Sequence, residues 1–267
     1  MREQLKATPP AGVAIGVSHR ALIRVWMPLA LLATAAVGWW WSIRMAADMT
    51  GMGGIGEMDG IGMGAISLGA FLLGWGAMMA AMMLPAVLPV VRLYGQAATA
   101  GRAAPVAFFA AGYLAVWSLT GLPGYFAWRA LDAPLAEGQH WAARLAGVVL
   151  LVAAAWQVTP LKSVCLRHCR SPMGFFLRFG GRIGRPWGAF AMGVSHSGFC
   201  VGCCWALFAV LVAVGTMNIA WMIALTGLIV LERNAPGGER IALAGAVVLG
   251  VVGAALLLDP SLFPRIT

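Results

Sequence analysis

The sequence predicts an all-α fold: a polytopic transmembrane helical bundle of about seven spans with its N-terminus in the cytoplasm. Three observations carry that prediction. Hydrophobic residues make up 61% of the 267 and charged residues only 10%, whereas a soluble domain carries about 25% charged residues. Mean hydropathy is +0.86, and several windows reach the roughly 20 apolar residues that a helix needs to cross the hydrocarbon core. Lys and Arg segregate by loop, as membrane topology requires. The same segregation accounts for the net charge of +9 and excludes nucleic acid as the partner that such a charge would otherwise suggest.

The elements follow in order. A cytoplasmic tail, 1–20, leads into a first span at 21–43. That apolar run is too long for the h-region of a signal peptide and lacks a small-x-small cleavage site, so it is read as a retained span. A Met-rich outer loop, 44–64, reads "RMAADMTGMGGIGEMDGIGMG" and is expected to be mobile. Spans at 65–93, 104–129 and 140–158 come next, then a long basic inner loop at 159–186. In this loop Phe175, Phe176 and Phe179 alternate with Arg178 and Arg182, which suits a segment lying on an anionic leaflet. Spans at 187–214, 217–232 and 239–258 complete a single bundle, 21–258, and a short outer tail, 259–267, ends the chain. The turn-like break at Gly215 to Asn218 separates the fifth span from the short sixth. No internal repeat stands out.

Orientation rests on the basic residues. The inner set is Arg2, Lys6, Arg20 and Arg24, then Arg92 and Arg102, then Lys162, Arg167, Arg170, Arg178, Arg182 and Arg185, then Arg233 and Arg240. The outer set is Arg44, Arg129, Arg144 and Arg265. The spans show no embedded Asp or Glu for a hard ion or a proton relay, and Glu232 is expected to cap the sixth span in solvent.

Against this apolar background the fifth span carries "SHSGFCVGCC" at 195–204. His196, Cys200, Cys203 and Cys204 are spaced i, i+4, i+7, i+8 and form one stripe on one helix. Cys packs well as a small hydrophobe, but three Cys and a His on one stripe point to a ligand or redox role, since polar groups within a membrane are costly. Gly198 and Gly202 form a small-xxx-small pair expected to admit a neighbouring helix. The five Cys are odd in number and clustered, unlike a secreted disulfide framework.

Three further groups could cooperate. Met78, Met79, Met82 and Met83 form two i, i+4 pairs in the second span, followed by Pro85 and Pro89, which are expected to kink it. Met alone more often fills core gaps. Cys165, His168 and Cys169 in "CLRHC" could share one ion on a helix, although this spacing matches no standard zinc motif. Met45, Met49, Met52, Met58 and Met63, with Asp48, Glu57 and Asp59, could capture metal outside. Thioether and thiolate select Cu(I), with zinc next. His19 and His140 lie near span ends and need no special role. No Walker A pattern appears, so nothing points to ATP coupling.

"GWGAMMAAMMLPAVLPVVRLY", "WQVTPLKSVCLRHCRSPMGFF", "GVSHSGFCVGCCWALFAVLVAVGTMNIAWM" and "LERNAPGGERI", in that order, resemble the bacterial family of predicted metal-binding integral membrane proteins, a domain of unknown function. The resemblance covers about 65–255 and departs at Arg233, where the family more usually has Lys. It implies a multi-pass protein of the bacterial inner (plasma) membrane with a metal site at Cys200, Cys203 and Cys204, extending to Met78–Met83.

The leading expectation is a protein that binds Cu(I), with zinc as the lesser candidate. It would move or deliver the ion through Met, Cys and His ligand exchange, from the outer Met residues through the intramembrane set to Cys165, His168 and Cys169. Its expected partners are the lipid bilayer, the metal ion and a metallochaperone or respiratory complex. One alternative is a thiol–disulfide oxidoreductase using Cys200 and Cys203, although these lie deep in lipid and reactivity needs exposure. The other is a metal-loading assembly factor for a respiratory complex. Enzymatic activity is not the favoured reading.

Overall fold

A computed structural model describes residues 12–52, 67–137, 139–171, 174, 177, 181–215 and 218–266. Every regular element among them is helical. In chain order they are α1 (Gly12–Met52), α2 (Leu68–Thr99), α3 (Val106–Leu119), α4 (Gly121–Ala136), α5 (His140–Gln157), α6 (Pro160–Arg170), α7 (Pro186–Val214), α8 (Ile219–Asn234) and α9 (Gly238–Leu258). A single 3₁₀ turn and a four-residue helix, α10 (Phe263–Ile266), follow.

Local chemistry explains the helix ends. Ser67 opens α2 by accepting from the Ala70 amide, and Asn218 opens α8 by accepting from Trp221. Thr159 caps α6 through the Lys162 amide, with Pro160 at its first position. Such caps satisfy donors that have no partner within the helix. The expected break after the fifth span is real: α7 stops at Val214 and Gly215 takes φ +111°, a conformation that favours glycine.

Among the described residues, five helical stretches are long and apolar enough to cross a membrane: Trp26–Arg44, Leu68–Ala98, Val106–Leu131, Pro186–Val214 and Gly238–Leu258. They become six if α5 and α6, bent by 65° at a short break, count as one broken span. The expected sixth span is α8, whose 16 residues rise only about 24 Å against a hydrocarbon core of about 30 Å. The expected third span is interrupted at Thr120, whose hydroxyl donates to the Trp117 carbonyl at 2.6 Å. The first helix runs further than 21–43 at both ends, and α2 continues as helix through Pro85 and Pro89.

Packing places α7 at the centre, against α3 above all, then α5, α6, α4 and α8. α2 packs on α1, α3, α8 and α4, and α5 pairs with α9. Glycine decides how close α3 and α7 come. A Cβ on Gly193 would sit 2.1 Å from the Phe109 carbonyl oxygen, and one on Gly112 would sit 2.2 Å from that of Phe190. The expected contact pair divides: Gly198 faces open space, while a Cβ on Gly202 would lie 3.1 Å from the Cys165 sulfur of α6. Small residues do bring helices together here, but one turn earlier on α7 than the spacing implied.

Gly193→Ala must therefore push α3 from α7, and should lower stability by about 1–3 kcal/mol, the usual range for overpacking. Gly198→Ala should leave it within about 0.5 kcal/mol. Thermal unfolding of both variants in detergent checks the contrast.

Candidate functional site

The predicted stripe faces inward along α7: His196 and Cys200 are 0% exposed, Cys203 and Cys204 1%. The thiols gather closely. Cys203 and Cys204 Sγ are 3.3 Å apart, and the Cys203 thiol donates to the Cys200 carbonyl at 3.2 Å. Cys169, carried in by α6, is 4% exposed and lies in the same buried core as Cys200 and Cys203. From α3, the Tyr113 hydroxyl lies 3.2 Å from Cys200 Sγ. The His196 ring sits beside Phe109 and Tyr113, with ring centroids 6.1 and 6.0 Å away. All five cysteines are free thiols. The four buried ones, Cys169, Cys200, Cys203 and Cys204, share one core. Among the described residues, no three His, Cys, Asp or Glu side chains stand ready as a metal ligand set.

Charge enters the site from α8. Arg233 is 5% exposed, and its Nη1 donates to Cys200 Sγ at 2.9 Å. Its Nη2 lies 3.5 Å from His196 Nε2. The preceding residue, Glu232, is not solvated as expected but 1% exposed. It accepts from Lys162 Nζ at 2.6 Å and from Gln157 Nε2 at 2.7 Å. Lys162, counted in the sequence as an inner-loop charge, is likewise 1% exposed. Arg170, at the last turn of α6, donates to the carbonyls of Glu232 and Ala235 at 3.3 and 2.7 Å. These are the acceptors that the end of α8 leaves without helical partners. The basic "inner loop" is thus, over α6, an internal wall of the bundle.

The other candidates separate. In "CLRHC", Cys169 joins the cluster, Cys165 is half-buried against Gly202, and His168 faces outward. The His168 ring stacks on Phe199 at 4.7 Å, and its Nδ1 lies 2.9 Å from the Val164 carbonyl oxygen. Hence α6 divides the three residues instead of gathering them. Met78, Met79, Met82 and Met83 are all buried at 1% or less and share one core with the thiols. Their helix, α2, has α1, α3, α8 and α4 as its principal neighbours, not α7. Met45, Met49 and Met52 continue α1. Their side chains, and Met58 and Met63 altogether, lie outside the described residues.

Sequence reasoning missed Arg233, Tyr113, Lys162, Gln157 and the role of Glu232. One signal was available: Glu and Arg stand side by side at the end of an apolar run, where burial would demand partners.

The family model PpoB2, described as copper chaperone, matches residues 72–256. No curated protein and no solved structure matches the chain.

Two outcomes follow from this geometry. Glu232→Gln would leave Lys162 buried without a counter-charge and should cost about 3–5 kcal/mol, while Lys162→Met with Glu232→Gln should recover much of that loss; thermal unfolding compares the pair. Thiol alkylation of the folded protein should label Cys165 first, with Cys169, Cys200, Cys203 and Cys204 reacting only on denaturation, as mapped by mass spectrometry.

Proposed function

The chain belongs to the PpoB2 copper chaperone family, and we propose that it binds Cu(I) within a helical bundle of the bacterial inner membrane and delivers it across that membrane. The observation that carries this reading is the burial of Cys200, Cys203 and Cys204 on α7 in one core with Cys169 from α6. Thiolate and thioether are the ligands that select Cu(I), and zinc is the next candidate. Cu(I) is content with a low coordination number, so small side-chain movements among contiguous thiols suffice to admit it.

The ion is cargo, and each group has a task in moving it. Met45, Met49, Met52, Met58 and Met63 collect it outside. Met78, Met79, Met82 and Met83 supply buried thioethers next to the path. Cys200, Cys203, Cys204 and His196 receive it, and Cys169 with Cys165 and His168 provides the way out along α6. His168, exposed at the far end of that helix, is the residue placed to meet an acceptor. That acceptor is a copper-requiring protein or a metallochaperone. Tyr113 and Arg233 hold Cys200 in place and keep water from it.

A second reading draws on the close approach of Cys203 and Cys204 and of Cys169 to its neighbours, which would suit thiol–disulfide chemistry. Burial of all four thiols speaks against it, because such exchange needs an accessible thiolate. Trapping free thiols in cells distinguishes the two: a disulfide that cycles between members of this cluster would favour the redox reading.

The decisive measurement is metal content of the full chain purified in detergent under reducing conditions, with Cu(I) and zinc both offered. The wild type should hold near-stoichiometric copper. The Cys200→Ser, Cys203→Ser, Cys204→Ser triple variant should lose nearly all of it. Equal copper in both would overturn the assignment.

A further inference from the structure

Arg233 is a cation at the heart of the thiol cluster, and among the described residues no carboxylate answers it. It is 5% exposed, and its Nε finds no hydrogen-bond partner. Its neighbour Glu232 is committed to Lys162 at 2.6 Å, and among the described residues that is the ion pair present. The groups Arg233 does meet are the Cys200 thiol at 2.9 Å and the His196 ring at 3.5 Å. A buried charge without a partner is strongly unfavourable. Here the surrounding groups able to carry compensating negative charge are the thiols, Cys200 foremost, and the Tyr113 phenol beside Cys200.

We infer that Arg233 sets the charge of the ion this cluster accepts, selecting a monovalent soft cation over a divalent one. The inference rests on the copper-binding reading above and adds to it a residue that determines specificity. The argument is Coulombic. A fixed positive charge repels a neighbouring cation in proportion to that cation's charge. With the same sulfur ligands, Arg233 therefore penalises Zn(II) twice as heavily as Cu(I). Where both metals bind through the same thiolates, the attraction of Arg233 for those thiolates is common to the two ions and cancels from their ratio, so the preference follows the charge of the ion. Burial makes the effect large, since neither water nor salt screens it at this depth. The guanidinium donates to Cys200 Sγ, so an ion held by Cys200 would have it one sulfur away. Softness of the ligands alone would leave zinc as a close competitor; the arginine separates the two.

Charge, rather than the shape of the guanidinium, is the active property, and two variants distinguish these. Cu(I) and Zn(II) affinities would be measured for the full chain in detergent, by competition with chromophoric chelators, in wild type, Arg233→Gln and Arg233→Lys. Arg233→Gln should raise the Zn(II)-to-Cu(I) affinity ratio by at least about tenfold. Arg233→Lys, which keeps the charge, should hold the ratio near wild type. A purely structural arginine would weaken both metals together and leave the ratio unmoved, which would overturn the inference while the copper reading stands. Should Arg233→Gln fail to fold, the lysine variant still decides: a folded Arg233→Lys protein that prefers zinc would refute charge selection. A wild type that binds neither metal, with the Cys200, Cys203 and Cys204 serine variant indistinguishable from it, would refute the copper reading itself, and the inference with it.

Discussion

The buried pair of Lys162 and Glu232, 2.6 Å apart and joined by Gln157, is the contact on which the arrangement of the site depends. Lys162 lies in the first turn of α6 and Glu232 near the last of α8. Arg170 adds a second tie between the same two helices, through the carbonyls of Glu232 and Ala235. Together they set α6 against α8 with both pressed on α7. Cys169 and Arg233 are then brought to Cys200 as a consequence. A buried ion pair contributes little net stability over an apolar substitute, but it is intolerant of losing one partner. Its value here is therefore positional: it permits one registry of α6 and α8 and disfavours others.

The bundle separates two kinds of polar chemistry that adjoin in sequence. Glu232 and Lys162 neutralise each other and hold helices. Arg233, one residue on, faces sulfur instead. Successive residues on a helix point about 100° apart, so adjacent side chains address different neighbours. The contact of α7 with α3 through Gly112 and Gly193 delivers Tyr113 to Cys200. The thiol cluster is thus walled by a phenol, an imidazole and a guanidinium, all of them buried. Such a site is enclosed by protein and keeps several soft atoms together.

The sequence by itself determined the all-helical class, the ends of α5, α7, α8 and α9 to within two residues, the break at Gly215 to Asn218 and the single stripe of His196, Cys200, Cys203 and Cys204, while packing decided that the stripe faces inward. Each depends on hydropathy, capping or helical periodicity, which act between residues a few positions apart. Span number was legible only in part, because a bent α5–α6 pair and a 16-residue α8 carry apolar composition without the length of a straight crossing. Tertiary structure alone decided that "CLRHC" would split, that Gly193 rather than Gly198 would make the close contact, and that Lys162, Glu232 and Arg233 would be interior. The physical reason is distance along the chain. Lys162 and Glu232 are 70 residues apart, and Arg233 is 33 from Cys200. A charged residue at the end of an apolar run reads as a solvated terminus unless its partner is known, and only folding brings that partner to it.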